Sequence, residues 1–287
     1  MKQTKRFPLI SIAIPASLVV DTPHLREKTF RIGLIGRASA IFRVDEIIVF
    51  RDLPAVNQFV DMEFIAFILS YMEAPQYLRK HLFPFNPNLK YVGILPPLRT
   101  PHHPTSKLAK DLSLNEYREG VVVKTCKEGS YVDIGVEKPA FLRKPNLLIG
   151  RRIALKIIGF HHNIPEASLA RREEINIYWG YRVSVSDLTL GQIVKEGTFD
   201  FIIMTSRYGK PLTEVTDEIK KRWKEANKVL MAFGSPNEGL REILSHEGLK
   251  INDVADLTVN TIPNQGTETV RTEEAIYATL AAINLII

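Results

Sequence analysis

Between Pro75 and Pro104 the chain carries seven prolines, at positions 75, 84, 87, 96, 97, 101 and 104. Proline lacks the backbone donor and clashes with the preceding helical turn, so this stretch can be neither a regular helix nor a central strand. It divides the chain. Before it, Phe7 to Ile14 reads as a strand. Pro23 then opens a helix over His24 to Phe42, with Phe30, Leu34, Ala38 and Ile41 at helical spacing. Val44 to Phe50 is a second apolar strand and Asn57 to Tyr71 a second helix, the order of a parallel sheet with covering helices. After the prolines come Tyr117 to Lys124, Gly129 to Val136 and Arg151 to Ile158. These short β segments, punctuated by glycine, predict a small all-β barrel of roughly 70 residues. From Gly180 the α/β rhythm returns. Strands are expected at Phe199 to Thr205, Lys228 to Phe233 and Ala255 to Asn260, with helices at Glu214 to Asn227 and Thr272 to Leu285. The expectation is one discontinuous α/β domain, residues 1–88 and 166–287, split by a β insertion over 89–165.

Charge follows the same division. The net charge of +6 separates into +1 over residues 1–75, +10 over 76–172 and −5 over 173–287. A basic middle attracts phosphate backbones, although a solvated basic surface without a partner produces the same count. A hydrophobic content of 45% excludes wholesale disorder. The single cysteine, Cys126, excludes an intrachain disulfide and suits a reducing compartment. The apolar run from Ile10 to Val20 is broken by Ser11, Pro15 and Ser17, and falls short of the roughly 20 residues that span a bilayer. The basic start, Met1 to Arg6, leads into a stretch with Pro15 and Asp21 and reads as the approach to a buried strand rather than a signal peptide. A cytoplasmic location without membrane partners is expected.

Three C-terminal loops follow apolar strands: Thr205 to Gly209, Gly234 to Gly239 and Ile262 to Gly266. Ligands in open α/β sheets collect at strand ends, where main-chain groups are free, and such loops can grip an adenosine. Gly234 to Gly239 has the glycine spacing of a phosphate loop, but Leu240 and Arg241 stand where lysine and serine or threonine are required. In the insertion, Gly120 to Val136 looks like two strands of an S1-type oligonucleotide-binding (OB) barrel. Tyr131 lies beside Arg118, Lys124 and Lys127, an aromatic for stacking and cations for the backbone. The pairs His102–His103 and His161–His162 point to alternate faces of a strand and lack cysteine companions, so they predict solvated or RNA-facing side chains and no metal site. Cys126 carries no triad signal.

Lys28 to Glu46, Phe233 to Gly239 and Asn260 to Glu274 together resemble the SPOUT class of methyltransferases, specifically the archaeal and eukaryotic subfamily with an OB-like insertion. The resemblance covers nearly the whole chain. It implies an α/β domain with a deep trefoil knot and a homodimer formed through the knotted region. It implies S-adenosylmethionine as cofactor, held by Thr205, Gly209, Gly234, Ser235, Gly239, Ile262, Pro263, Asn264 and Gly266. Arg37 matches a first-helix arginine that some SPOUT branches use in catalysis. Those branches carry asparagine near the helix start, where this chain has His24 and Arg26.

The function so implied is S-adenosylmethionine-dependent methylation of a base, uridine among the candidates, in ribosomal or transfer RNA. A ribose hydroxyl target stays open. A ring nitrogen bearing a proton needs that proton removed, and Glu268 is the candidate base. The competing reading is a non-catalytic RNA-binding or ribosome-assembly factor with a vestigial pocket.

Overall fold

The computed structural model describes residues 7–287; the basic segment Met1 to Arg6 lies outside the described residues. The chain forms two compact units. Among the described residues, one comprises 7–72, Asn88–Pro97 and Tyr181–Ile287; the other comprises Glu73–Pro87 and Leu98–Gly180.

The first unit is an α/β sandwich. In chain order it contains β1 (Leu9–Pro15), α1 (Leu25–Ile41), β2 (Glu46–Phe50) and α2 (Phe59–Glu73). The second unit supplies α3 (Arg79–Leu82), β3 (Tyr117–Thr125), β4 (Ser130–Asp133), β5 (Ala140–Leu142), β6 (Arg152–His161) and β7 (Ile164–Leu169). The chain then returns through β8 (Arg182–Ser186), α4 (Leu190–Glu196), β9 (Phe201–Pro211), α5 (Leu212–Glu225), β10 (Lys228–Ala232), α6 (Leu240–Ser245), α7 (Ile251–Val254), β11 (Leu257–Asn260) and α8 (Thr272–Ile286). Six strands pair in the order β11-β9-β10-β1-β2-β8, every pair parallel. The central strands are buried on both faces, which is why their sequences read as unbroken apolar runs. Ile12, Ala13 and Ile14 of β1 and Val229 to Ala232 of β10 have no solvent exposure. Each large aliphatic side chain removed from water there contributes about 1.5–3 kcal/mol.

The helical spacing read in α1 finds only part of the buried face, since Ala38 is buried and Leu34 half-buried. Phe30 and Ile41 are exposed, and the buried stripe is Ile32, Ile35 and Ser39 together with Arg31. Arg31 is 5% exposed. Its Nε donates to Glu273 Oε1 on α8 at 2.9 Å, and it also pairs with Asp21. An arginine in this position counts as polar in a periodicity, so this part of the buried face was hidden.

The second unit holds a closed barrel in the order β3-β4-β5-β7-β6, with β6 pairing back onto β3. All neighbours are antiparallel except β5 and β7. Alternate residues fill the interior: Ile153, Leu155 and Ile157 from β6 meet Val122, Val132 and Leu142. Strand β7 crosses the expected boundary at 165, and this unit also takes in Glu73–Pro87, so the expected limits of 89 and 165 both move.

The reason for the shift is a buried ionic network. Arg152 Nη1 donates to Glu73 Oε2 at 2.6 Å and its Nε to Glu119 Oε2 at 2.9 Å. Tyr77 Oη donates to the Glu119 carbonyl, and Trp179 Nε1 to the Glu119 carboxylate. His102 and His103 both place Nε2 on the Glu73 carbonyl oxygen, at 2.9 and 2.7 Å. His102 is wholly buried, which corrects the expectation of a solvated or RNA-facing side chain for that pair. Burial alone would raise the Glu73 pKa, but Arg152 and His102 outweigh it and hold the carboxyl well below its usual range. Burial and the neighbouring His102 push His103 down to about 4.

Both shifts act in the same direction. The unfolded His103 takes up a proton below its ordinary value of 6.5, whereas the folded one does so only near 4. The unfolded Glu73 protonates near 4.5 and the folded one only far lower. In each case the unfolded state binds more protons, so stability is present at neutral pH and is lost as pH falls. The thermal midpoint is expected to decline from pH 6.5 down to pH 4 through His103 and further below 4.5 through Glu73. A pH series of melting curves on His103→Gln checks this. The upper part of the decline should flatten, and an unchanged slope refutes the assignment.

Candidate functional site

Strands β11, β9 and β10 are consecutive in the sheet, so the loops leaving their C-terminal ends converge. The first of the three expected loops proves to be part of a strand. β9 runs on to Pro211, but its ladder with β11 jumps from Met204↔Thr258 to Lys210↔Val259. Thr205 to Gly209 is therefore extruded from the pairing while the strand continues. Gly209 closes this excursion. A Cβ placed there would lie 2.7–2.8 Å from the backbone of Thr258 and Val259, so no side chain fits.

The second loop leaves β10. Ser235 N donates to the Glu238 carbonyl at 2.9 Å, and Glu238 N donates to Ser235 Oγ at 2.9 Å. Gly234 is pressed against the far side of this turn: a Cβ there would sit 2.9 Å from the Glu238 carbonyl oxygen and 3.1 Å from Gly239 Cα. The third loop leaves β11, where Asn260 Oδ1 accepts from Ile262 N and Asn264 adopts a left-handed φ of 59°. Cross-links join the three. Thr205 Oγ1 donates to the Ala232 carbonyl, Thr272 Oγ1 to the Gly234 carbonyl, Arg207 Nη1 to the Glu268 carbonyl and Asn260 Nδ2 to the Arg207 carbonyl.

Together the loops enclose a cavity of about 390 Å³, a size suited to a small organic ligand. Of the residues assigned to a cofactor from the sequence, Thr205, Gly234, Ser235, Gly239 and Ile262 line it, and so does Glu268. Gly209, Pro263, Asn264 and Gly266 do not stand in its wall; Gly209 instead sets the backbone path. Sequence reasoning missed Arg207, Tyr208, Arg241, Gln265 and Thr272, which all line the cavity, as does Glu238 of the second loop. The triplet Ser206-Arg207-Tyr208 was read only for its backbone. The wall is mixed: Leu240, Val259, Ile262 and Val270 are apolar, Glu238, Glu242 and Glu268 provide negative charge, and Arg207 and Arg241 provide positive charge, a lining suited to a nucleoside with charged substituents.

Arg37 is not part of this wall. It is half-buried on α1, and its Nη1 donates to the Pro97 carbonyl at 2.8 Å. It lies close enough to Tyr277 on α8 to oppose, by its charge, the upward push that burial gives that phenol.

In the barrel, Lys124 and Lys127 are exposed. Lys124 lies directly across the β3–β4 ladder from Tyr131, whose ring packs against Phe141 with centroids 5.3 Å apart. Arg143 and His161 share a hollow of about 380 Å³ with these two aromatics. Arg118 does not belong with them. It is 1% exposed, with Nε donating to Glu116 Oε1 at 2.6 Å, so the assignment of Arg118 to an RNA-facing surface is corrected. Position 118 pairs with Leu155 in the barrel wall, and the strand turns that side chain inward. Among the described residues there is no group of three or more His, Cys, Asp or Glu able to hold a metal, and no helix long and apolar enough to cross a membrane.

A parallel sheet with a nucleoside-sized cavity at three adjacent strand ends, in a chain that also carries a barrel with exposed lysines beside half-buried aromatics, defines an α/β protein equipped for a small cofactor and a polyanion. The chain belongs to the family described as "Putative RNA methyltransferase", whose model matches residues 9–283. It is 33% identical to the 28S rRNA (uridine-N(3))-methyltransferase of Homo sapiens over 96% of this chain and 77% of the human protein. It is also 33% identical to the protein of the same name in Drosophila melanogaster, again over 96% of this chain but only 61% of the fly protein's length. An uncharacterized protein of Halobacterium salinarum is 31% identical, over 96% of this chain and 98% of its own length.

Proposed function

We propose that this protein is an S-adenosylmethionine-dependent RNA methyltransferase that methylates N3 of a uridine in ribosomal RNA. The cavity at the ends of β9, β10 and β11 carries the reading, because it sits on a chain that aligns over 96% of its length with proteins named for that reaction. The cofactor supplies a methyl group already activated on a sulfonium. The residues of this chain supply position: Gly234, Ser235, Gly239 and Ile262 hold the nucleoside, and Glu238 and Glu242 balance its positive charge. Uridine N3 bears a proton at neutral pH, and Glu268, one of three glutamates on the cavity wall, is the candidate to accept it.

The finer expectations belong to the same proposal. The hydrogen bonds that tie Arg207 to Glu268 and Gly234 to Thr272 support a SPOUT knot in which the last segment is laced to the first two loops. The strand order of the barrel, its exposed Lys124 and its half-buried Tyr131 support an OB-like RNA platform in the insertion. The protein works as a homodimer in the cytoplasm, where Cys126 stays reduced.

Incubation with labelled S-adenosylmethionine and ribosomal RNA, followed by nucleoside mapping, should yield 3-methyluridine at one position. Absence of label with intact RNA binding would favour the assembly-factor reading. For the platform, Lys124→Glu and Lys127→Glu should each reduce the salt dependence of RNA binding by about one unit of slope. Arg118→Ala should leave that slope unchanged and lower the melting temperature instead.

A further inference from the structure

Tyr208 is the one large aromatic on the cavity wall, and the fold leaves it out of the core. It is 67% exposed. It sits in the middle of the segment extruded from the β9–β11 ladder, so no sheet pairing occupies it. Its backbone is nevertheless held in place: Tyr208 N donates to Ser206 Oγ at 3.2 Å, and the Arg207 carbonyl accepts from Asn260 Nδ2 at 3.0 Å. Two cations flank the ring. The Arg207 guanidinium carbon lies 4.8 Å from the ring centroid and that of Arg241 lies 5.8 Å away. Arg207 is anchored by the Glu268 carbonyl, whereas Arg241 is exposed and makes no ion pair among the described residues.

An exposed aromatic ring held by cations at the mouth of a nucleoside-sized cavity is suited to stacking one further base. We propose that Tyr208 is the platform for the target uracil and that Arg207 and Arg241 stabilise the negative charge that appears on it. This rests on the methyltransferase reading above. Uracil must lose its N3 proton before N3 can act as a nucleophile. The resulting charge spreads onto the two flanking carbonyl oxygens, where guanidinium groups can donate hydrogen bonds. In the transfer, the N3–H proton passes to Glu268 or to water, and the N3 electron pair forms the new bond to the methyl carbon. The electrons of the broken carbon–sulfur bond return to sulfur, neutralising the sulfonium. The positive charge of the arginines favours the deprotonated base without removing the proton themselves.

The test uses the full chain with ribosomal RNA and compares Tyr208→Ala, Tyr208→Phe and Arg241→Gln. Tyr208→Ala should lower kcat by 100-fold or more while S-adenosylmethionine still raises the melting temperature as in the wild type. Tyr208→Phe should recover most of the turnover, because stacking needs the ring and not the hydroxyl. Arg241→Gln should move the rising limb of the kcat–pH profile to higher pH, since the base then deprotonates less readily. Full turnover by Tyr208→Ala overturns the platform, and so does dissociation of an oligomer by that variant, which would place the ring between copies of the chain. A weaker salt dependence with an unmoved pH profile in Arg241→Gln assigns that arginine to a phosphate and overturns its role on the base. A wild type that shows no thermal response to S-adenosylmethionine removes the underlying methyltransferase reading, and the platform with it.

Discussion

Gly234→Arg is expected to abolish both the thermal response to S-adenosylmethionine and methyl transfer. Even one added carbon at this position meets the Glu238 carbonyl oxygen at 2.9 Å and Gly239 Cα at 3.1 Å, both backbone atoms that cannot swing aside. Arginine adds a long cationic chain to the same point, beside a cavity of about 390 Å³ that is to receive a positively charged ligand. The Gly234 carbonyl also accepts from Thr272 Oγ1 at 2.8 Å, so a displaced loop releases the start of α8. A ligand present at about 100 times its dissociation constant stabilises the native state by about 2.7 kcal/mol. For a chain of this size that is a rise of about 5 °C. The wild type should show that rise and Gly234→Arg should not, with turnover reduced by at least about 100-fold. Scanning calorimetry with and without S-adenosylmethionine checks the first half, and label incorporation the second. An undiminished thermal shift in the variant would move the ligand site elsewhere.

Arg31→Ala is expected to be strongly destabilising to the α/β unit. The Arg31 side chain is 6% exposed and that of Glu273 3%, so removing the cation leaves Glu273 buried and unpaired. Breaking one side of a buried ion pair costs about 3–5 kcal/mol. The shifts describe the same coupling. Burial would lower the Arg31 pKa, but Glu273 and Asp21 outweigh it and raise it; burial would raise that of Asp21, and Arg31 brings it down. Asp21 is partly exposed and regains water when Arg31 is lost, which concentrates the cost on Glu273. The double variant Arg31→Met/Glu273→Leu, which removes both charges, should recover most of the lost stability. Chemical denaturation of the two variants separates the outcomes. A double variant no more stable than Arg31→Ala would show that the pair contributes a net attraction rather than relief of an isolated charge.

Five of the six strands of the sheet were legible, the central ones because they are buried on both faces, as in the apolar run Lys228 to Phe233; the edge strand β8, nowhere fully buried, left no such run. Helix α5 was legible for the complementary reason. Val215, Ile219 and Trp223 recur at helical spacing among charged residues, and these are the three it buries. Helix α1 was legible only in part, because a third of its buried residues are the polar Thr29, Arg31 and Ser39, and the burial of Arg31 depends on a partner 242 positions away. The inward turn of Arg118 and the burial of His102 were hidden in the same way. Both depend on a partner supplied by the folded chain, Glu116 for the first and Glu73 for the second, and composition alone assigns both to the surface.

For the candidate site, the sequence by itself determined the class of fold, the presence of an inserted barrel and the two glycine-bearing segments that follow β10 and β11. Those are local properties, fixed by periodicity, proline and the backbone freedom of glycine. Only the tertiary structure decided that β11, β9 and β10 are neighbours, that Thr205 to Gly209 is pushed out of a continuous strand, and that Arg207, Tyr208 and Arg241 gather at one rim. Which loops meet is set by strand order, and strand order is chosen by the packing of the whole sheet rather than by any segment of it.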